Sequence, residues 1–96
     1  MTTTPTSHDD FVDGNALAAP LAEVFTAEIT AALTTCAGCG RQNRLAQLRV
    51  YVGGPGMVAR CPGCGDVVAR YARTPTSGYL DLRGVVALQI SLPAAD

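Results

Sequence analysis

"RCPGCGD", residues 60–66, places Cys61 and Cys64 on either side of Pro62 and Gly63. "CAGCG", residues 36–40, repeats the unit with Cys36 and Cys39, and 21 residues separate the two pairs. The spacing C-x₂-C-x₂₁-C-x₂-C lies one residue beyond the usual window of paired zinc motifs. A thiolate tetrahedron takes two ligands from each of two tight turns, and two intervening residues let both sulfurs of one turn reach one ion. Ala37, Gly38 and Gly63 are small, Pro62 has a fixed φ, and Gly40 and Gly65 can turn the chain with φ > 0. The expected metal ligands are therefore Cys36, Cys39, Cys61 and Cys64.

Two other readings of these pairs are weaker. A thioredoxin-type couple lies at a helix N-terminus, which lowers the thiol pKa. Here Gly65 and the strand-like "DVVARYAR" (66–73) follow instead. A disulfide requires an oxidising compartment. The N-terminus "MTTTPTSHDD" has no basic start and no apolar core, so it does not read as a secretory signal. No apolar run approaches the ~20 residues that span a bilayer. A cytoplasmic chain with reduced thiols is expected.

Four thiolates suit zinc or a single iron. "CPGCG" also resembles the second knuckle of rubredoxins, which hold iron and pass electrons. Rubredoxins surround the iron with aromatics including Trp, and this chain has no Trp. Zinc is favoured and iron is the alternative. A closed tetrathiolate has no open coordination position, so the ion is expected to be structural. Its formal charge is −2. Arg41, Arg60 and Arg70 are close enough in sequence to offset it, or are solvated strand and loop positions.

Outward from the cysteines, the pattern is mostly that of strands. "LRVYV" (48–52) puts Leu48, Val50 and Val52 on one face and Arg49 with Tyr51 on the other. "GGPG" (53–56) reads as a turn and "MVARC" (57–61) as the return, a hairpin that delivers Cys61. "EITAALTT" (28–35) alternates Ile29, Ala31 and Leu33 toward Cys36. Leu80 and Leu82, then Val86, Leu88, Ile90 and Leu92, alternate again, with Gly84 marking a turn or bulge between. In front, Leu17, Leu21, Val24 and Phe25 fall on one helical face. Asp13 or Asn15 can cap that segment, and Pro20 predicts a kink or two short helices, with Pro20 in the first turn of the second. Residues 1–10, with His8, read as a disordered tail. The expectation is a small, metal-bound, mostly β domain over 11–96. It would be a zinc-ribbon or rubredoxin-like antiparallel sheet over 28–92, with a helical segment at about 14–25.

The 96 residues carry a net charge of −1, which conceals an asymmetry. Residues 1–40 hold five acids and no Lys or Arg, whereas residues 41–96 hold seven Arg and three acids. The halves can dock on each other. Alternatively, Arg41, Arg44, Arg49, Arg60, Arg70 and Arg73, with Tyr51 or Tyr71 as stacking platforms, form a nucleic-acid surface. Nucleic-acid binders are usually basic overall, which weighs against that reading.

With "HDDFVDGNALAAPLAEVF", "CAGCG", "LRVYVGGPGMVARCPGCGDVVAR" and "LDLRG" in order, the sequence resembles a family of small actinobacterial proteins of unknown function with zinc-ribbon character. The resemblance covers nearly the whole chain after the tail and is most specific from Arg49 to Arg70. It implies the same four cysteine ligands and supplies no reaction. The single His lies in the tail, the carboxylates are scattered, and the glycines of "GGPG" lie in a hairpin rather than a phosphate loop. No enzyme is expected. The leading expectation is a module that binds a partner protein. The alternatives are a nucleic-acid-binding ribbon and an iron electron carrier or accessory to an oxidoreductase.

Overall fold

The computed structural model describes residues 11–22, 25, 28–54 and 56–91. The expected tail with His8, and Val24, Pro55 and Leu92, lie outside the described residues. Among the described residues the chain is mostly antiparallel β with one short α-helix, but unexpected short strands at Val12–Asp13, ahead of the helix, and Gln42–Arg44 join the pattern, and the strands form two sheets rather than one.

The larger sheet is built on the hairpin read from the sequence. Strand β4 (Arg49–Gly53) turns at Gly54 into β5 (Gly56–Arg60), with Val50 opposite Ala59 and Arg49 opposite Arg60. Strand β1 (Val12–Asp13) pairs with the outer side of β4. On the other side come β6 (Val67–Arg73) and β7 (Gly78–Asp81), giving the order β1-β4-β5-β6-β7. The smaller sheet is β3-β2-β8, from β2 (Leu33–Cys36), β3 (Gln42–Arg44) and β8 (Val85–Gln89). The chain leaves the larger sheet after Asp81 through a turn. There the Asp81 carboxylate accepts from the Arg83 backbone N–H at 3.0 Å. That bond, with the Arg83 guanidinium, holds the Asp81 carboxyl below its ordinary range. Ala37 N–H then donates to Gly84 O at 2.9 Å, which seats β8 beside β2 instead of beside β7.

Alternation places Leu48, Val50, Ala59, Ala69 and Tyr71 on the inner face of the larger sheet, where all are buried. The front segment covers that face. A 3₁₀ turn over Gly14–Leu17 runs into α1 (Ala18–Ala22), and the Asp13 carboxylate accepts from Asn15 N–H at 3.0 Å. Pro20 falls in the first turn of α1, where its missing N–H costs no helix bond. Helical structure thus covers 14–22 of the expected 14–25, and Phe25 N–H reaches back to Leu21 O at 2.9 Å. Leu17 and Leu21 are buried, and Phe25 packs half-buried against the same core.

Three expectations of alternation change. Ile29–Ala31 forms a 3₁₀ turn rather than a strand, and only from Leu33 does the chain extend. Leu45 N–H donates to Ala32 O at 2.8 Å just before that strand begins, so the backbone there is satisfied by a neighbouring loop rather than a ladder. Val52, expected with Leu48 and Val50, is 61% exposed because it lies toward the hairpin tip. Val86 is 68% exposed because a bulge in the β2–β8 pairing leaves it without an opposite residue, between Ala87 and Val85. A second bulge leaves Val68 unpaired in β6, which lets Val68 and Ala69 both face inward.

Candidate metal centre

Each Cys-x-x-Cys unit stands at the end of a strand, one on each sheet. Cys36 ends β2 of the smaller sheet, and its turn leads into β3. Cys61 follows β5 of the larger sheet, and its turn leads toward β6. The two turns share one backbone scheme. Gly40 N–H donates to Cys36 O at 2.8 Å, and Gly65 N–H to Cys61 O at 2.9 Å. Cys36 N–H donates to Arg41 O at 3.0 Å, and Cys61 N–H to Asp66 O at 2.9 Å. Gly38 N–H points at Cys36 Sγ and Gly63 N–H at Cys61 Sγ, each at 3.3 Å. Gly40 and Gly65 have φ of 78° and 82°, the left-handed conformation in which a Cβ is strained. Backbone donors aimed at sulfur stabilise the thiolate form, as metal-bound cysteine requires.

The two turns bring all four sulfurs within 4.8 Å of one another. Cys36 Sγ lies 3.7 Å from Cys64 Sγ, and Cys39 Sγ lies 3.8 Å from Cys61 Sγ. A disulfide would need about 2.05 Å. A tetrahedron with metal–sulfur bonds of about 2.3 Å has edges of about 3.8 Å. The four cysteines can therefore hold one metal ion. Cys36 and Cys61 are buried, while Cys39 and Cys64 are exposed.

Crowding at the site drives Cys61 and Cys64 in opposite directions. Burial pushes the Cys61 thiol up, but the backbone N–H groups of Cys64 and Gly63 and the thiols of Cys39 and Cys36 outweigh it. Its pKa falls from 9.0 to about 7. The Asp66 backbone N–H pulls Cys64 down, yet desolvation and the three neighbouring sulfurs prevail and push it up to about 12. The Cys61 thiolate forms readily and Cys64 resists, because negative charge accumulates in one place. A bound cation removes that conflict.

The repeat extends past the cysteines, a feature the sequence reading missed. Arg41 and Asp66 occupy the same position, directly after the last Gly of each unit. Each lays its side chain on the other turn. The Arg41 Cδ is 2.9 Å from where a Cβ on Gly63 would stand, and the Asp66 carboxylate occupies the corresponding space at Gly38. Aligning "CAGCGR" with "CPGCGD" was the available signal.

Of the arginines proposed to offset the site's charge, Arg41 lies over the second turn, and Arg60 donates to Gly65 O at 2.8 Å. Arg70 pairs along β6 with Asp81 of β7. Of the six arginines read as a possible nucleic-acid surface, Arg49, Arg60 and Arg70 share one face of the larger sheet by register, and the Arg44 guanidinium is bound to Ala31 O at 2.9 Å. Tyr71, at 5% exposure, is a core residue rather than a stacking platform.

Among the described residues, no helix is long and apolar enough to cross a membrane. A family model described as a family of unknown function (DUF6510) matches residues 6–93. No curated protein and no solved structure matches the chain.

Proposed function

We propose that this chain, which belongs to the family of unknown function DUF6510, is a non-catalytic zinc-ribbon module of the cytoplasm whose metal-braced sheet engages a partner protein. The observation that carries this reading is the convergence of four sulfurs from two matching turns, with edges of 3.7 and 3.8 Å. Cys36, Cys39, Cys61 and Cys64 would hold Zn²⁺. Bound there, the ion supplies cross-linking and charge neutralisation rather than Lewis-acid chemistry, because a four-thiolate ion keeps no position for substrate. Zinc is preferred to iron because the side chains laid on the two turns are the charged Arg41 and Asp66, not rings.

The cross-link matters because the two sheets otherwise share a modest core. Structural zinc in small domains contributes about 10–16 kcal/mol of apparent binding energy, which is folding energy when the unfolded chain holds no site. A reducing compartment keeps the thiols available.

Elemental analysis of tag-free protein purified from medium holding both metals tests the assignment. One zinc per chain and no visible colour is expected. A red protein with one iron would turn the reading to electron transfer. Folded protein that carries no metal would end it altogether.

A further inference from the structure

The outer face of the larger sheet carries an arrangement that the fold alone does not require. Register sets Asp13, Arg49 and Arg60 in one row across β1, β4 and β5. The next row is Tyr51, Val58, Arg70 and Asp81, across β4 to β7. Arg49 and Arg60 are thus direct cross-strand partners, and Arg70 is a diagonal neighbour. Like charges placed directly opposite on a sheet destabilise it. Here the opposition is reinforced, because both guanidiniums are held in place. Arg49 lies 4.9 Å over the Phe11 ring and Arg60 lies 5.9 Å over the Tyr51 ring, with the rings 5.7 Å apart. A guanidinium over a ring leaves N–H groups free to bind a carboxylate or phosphate. Arg60 uses one N–H on Gly65 O, and the Asp13 carboxylate is engaged by Asn15 N–H. Among the described residues, neither Arg49 nor Arg60 has an ion-pair partner.

The geometry points to this face as the docking site for an acidic segment of a partner protein, with carboxylates seated on Arg49 and Arg60. This inference rests on the reading of the chain as an interaction module and names the chemistry of its partner. Three observations favour an acidic peptide over a nucleic acid. Phe11 and Tyr51 are half-buried, and Arg49 and Arg60 lie over their rings, so bases lose those stacking surfaces. Asp13 and Asp81 bound the arginine rows at the two sides of the sheet and would repel a long phosphate track. The chain as a whole is net negative and contains no Lys, so it has no broad field to attract a polyanion. A short acidic segment fits between those limits, with Val58 available to an apolar side chain beside the charges.

The test is a titration of zinc-loaded, isotope-labelled full-length protein with an acetylated hexaglutamate peptide at low salt, followed by amide and arginine side-chain resonances. Shifts are expected at Arg49, Tyr51, Val58, Arg60 and Arg70, and none with hexaglutamine. Arg49→Gln should weaken binding at least fivefold, and Arg49→Lys should restore only part of it. Arg49 stands on β4, which carries neither cysteine pair, so metal content and melting temperature should match the parent. An absence of shifts, shifts confined to another face, or an Arg49→Gln variant that binds as well as the parent would each overturn the inference. So would tighter binding of oligothymidylate at the same residues. Metal content, measured on the same samples, separates the two readings. Zinc-loaded protein that ignores the peptide sinks only this docking site, whereas metal-free folded protein sinks the zinc module.

Discussion

Gly40 and Gly65 mark the residue at which each cysteine turn swings left-handed, with φ of 78° and 82°. Nothing stands within 4 Å of where either Cβ would be, so the cost of a side chain there is backbone strain alone. Gly65→Ala should therefore destabilise the holo protein by about 1–2 kcal/mol. Gly65→Asn should cost less, since Asn visits this conformation more readily. Equilibrium unfolding in denaturant with zinc present reads the order, and Asn costing more than Ala would contradict it. Gly63 is a different case. Its neighbour is the Arg41 side chain, a flexible arm that can swing aside, so Gly63→Ala should cost under about 1 kcal/mol. The double change Gly63→Ala with Arg41→Ala should be milder than the two separate costs combined, because each removes the other's obstacle. The four cysteines were readable because a motif repeated at fixed spacing is a chemical requirement. The exchange of Arg41 and Asp66 was only half legible: aligning the two units shows that they share a position, but a single side chain after a motif has no periodicity to reveal where it lands.

At the scale of elements, the two bulges decide which residues are inside. The strict two-residue period of "VVALQISL" suggested Val86, Leu88 and Ile90 on one buried face. Leu88 and Ile90 do pack on the core, but the bulge turns Val86 outward to 68% exposure. Val86→Lys should shift stability by no more than about 0.5 kcal/mol. Leu21→Ala, which empties a position only 2% exposed under the larger sheet, should cost about 2–5 kcal/mol. Both are measured by chemical denaturation of the zinc-loaded chain, and a Val86→Lys cost matching that of Leu21→Ala would show that the bulge is misplaced. The hairpin around Gly54, β6 and the Pro20 break were legible because local turn chemistry and apolar alternation agree there. The 3₁₀ turn at Ile29–Ala31 and the division into two sheets were not. Both depend on partners far along the chain, Leu45 for the first and Gly84 for the second. Alternation reports which face is apolar and is silent about which strand lies alongside.

For the whole molecule, the four sulfurs join two sheets as well as two turns. Chelation should therefore lower the melting temperature by tens of degrees or leave a chain without a cooperative transition, as measured by calorimetry with and without a strong chelator. Acid should act in the same direction. The ordinary cysteine pKa is 9.0, so at neutral pH an unfolded chain holds its four thiols protonated, whereas a fold that holds the proposed ion on the four sulfurs would keep them as thiolates. The unfolded state then binds more protons, so stability rises with pH up to the ordinary thiol value and falls as protons compete for sulfur. Melting temperature at fixed zinc should drop between pH 7 and pH 5. A flat profile over that range would count against thiolate ligation.

The order of strands has a consequence during synthesis. Cys36 precedes Cys61 by 25 residues, so the first pair of sulfurs leaves the ribosome well ahead of the second. The central strand of the smaller sheet then waits longer still, since β8, the last strand among the described residues, completes the order β3-β2-β8. A nascent chain thus passes through a stage with a half-built chelate and an uncovered strand edge, when metal supply and chaperone access would decide whether it matures or aggregates.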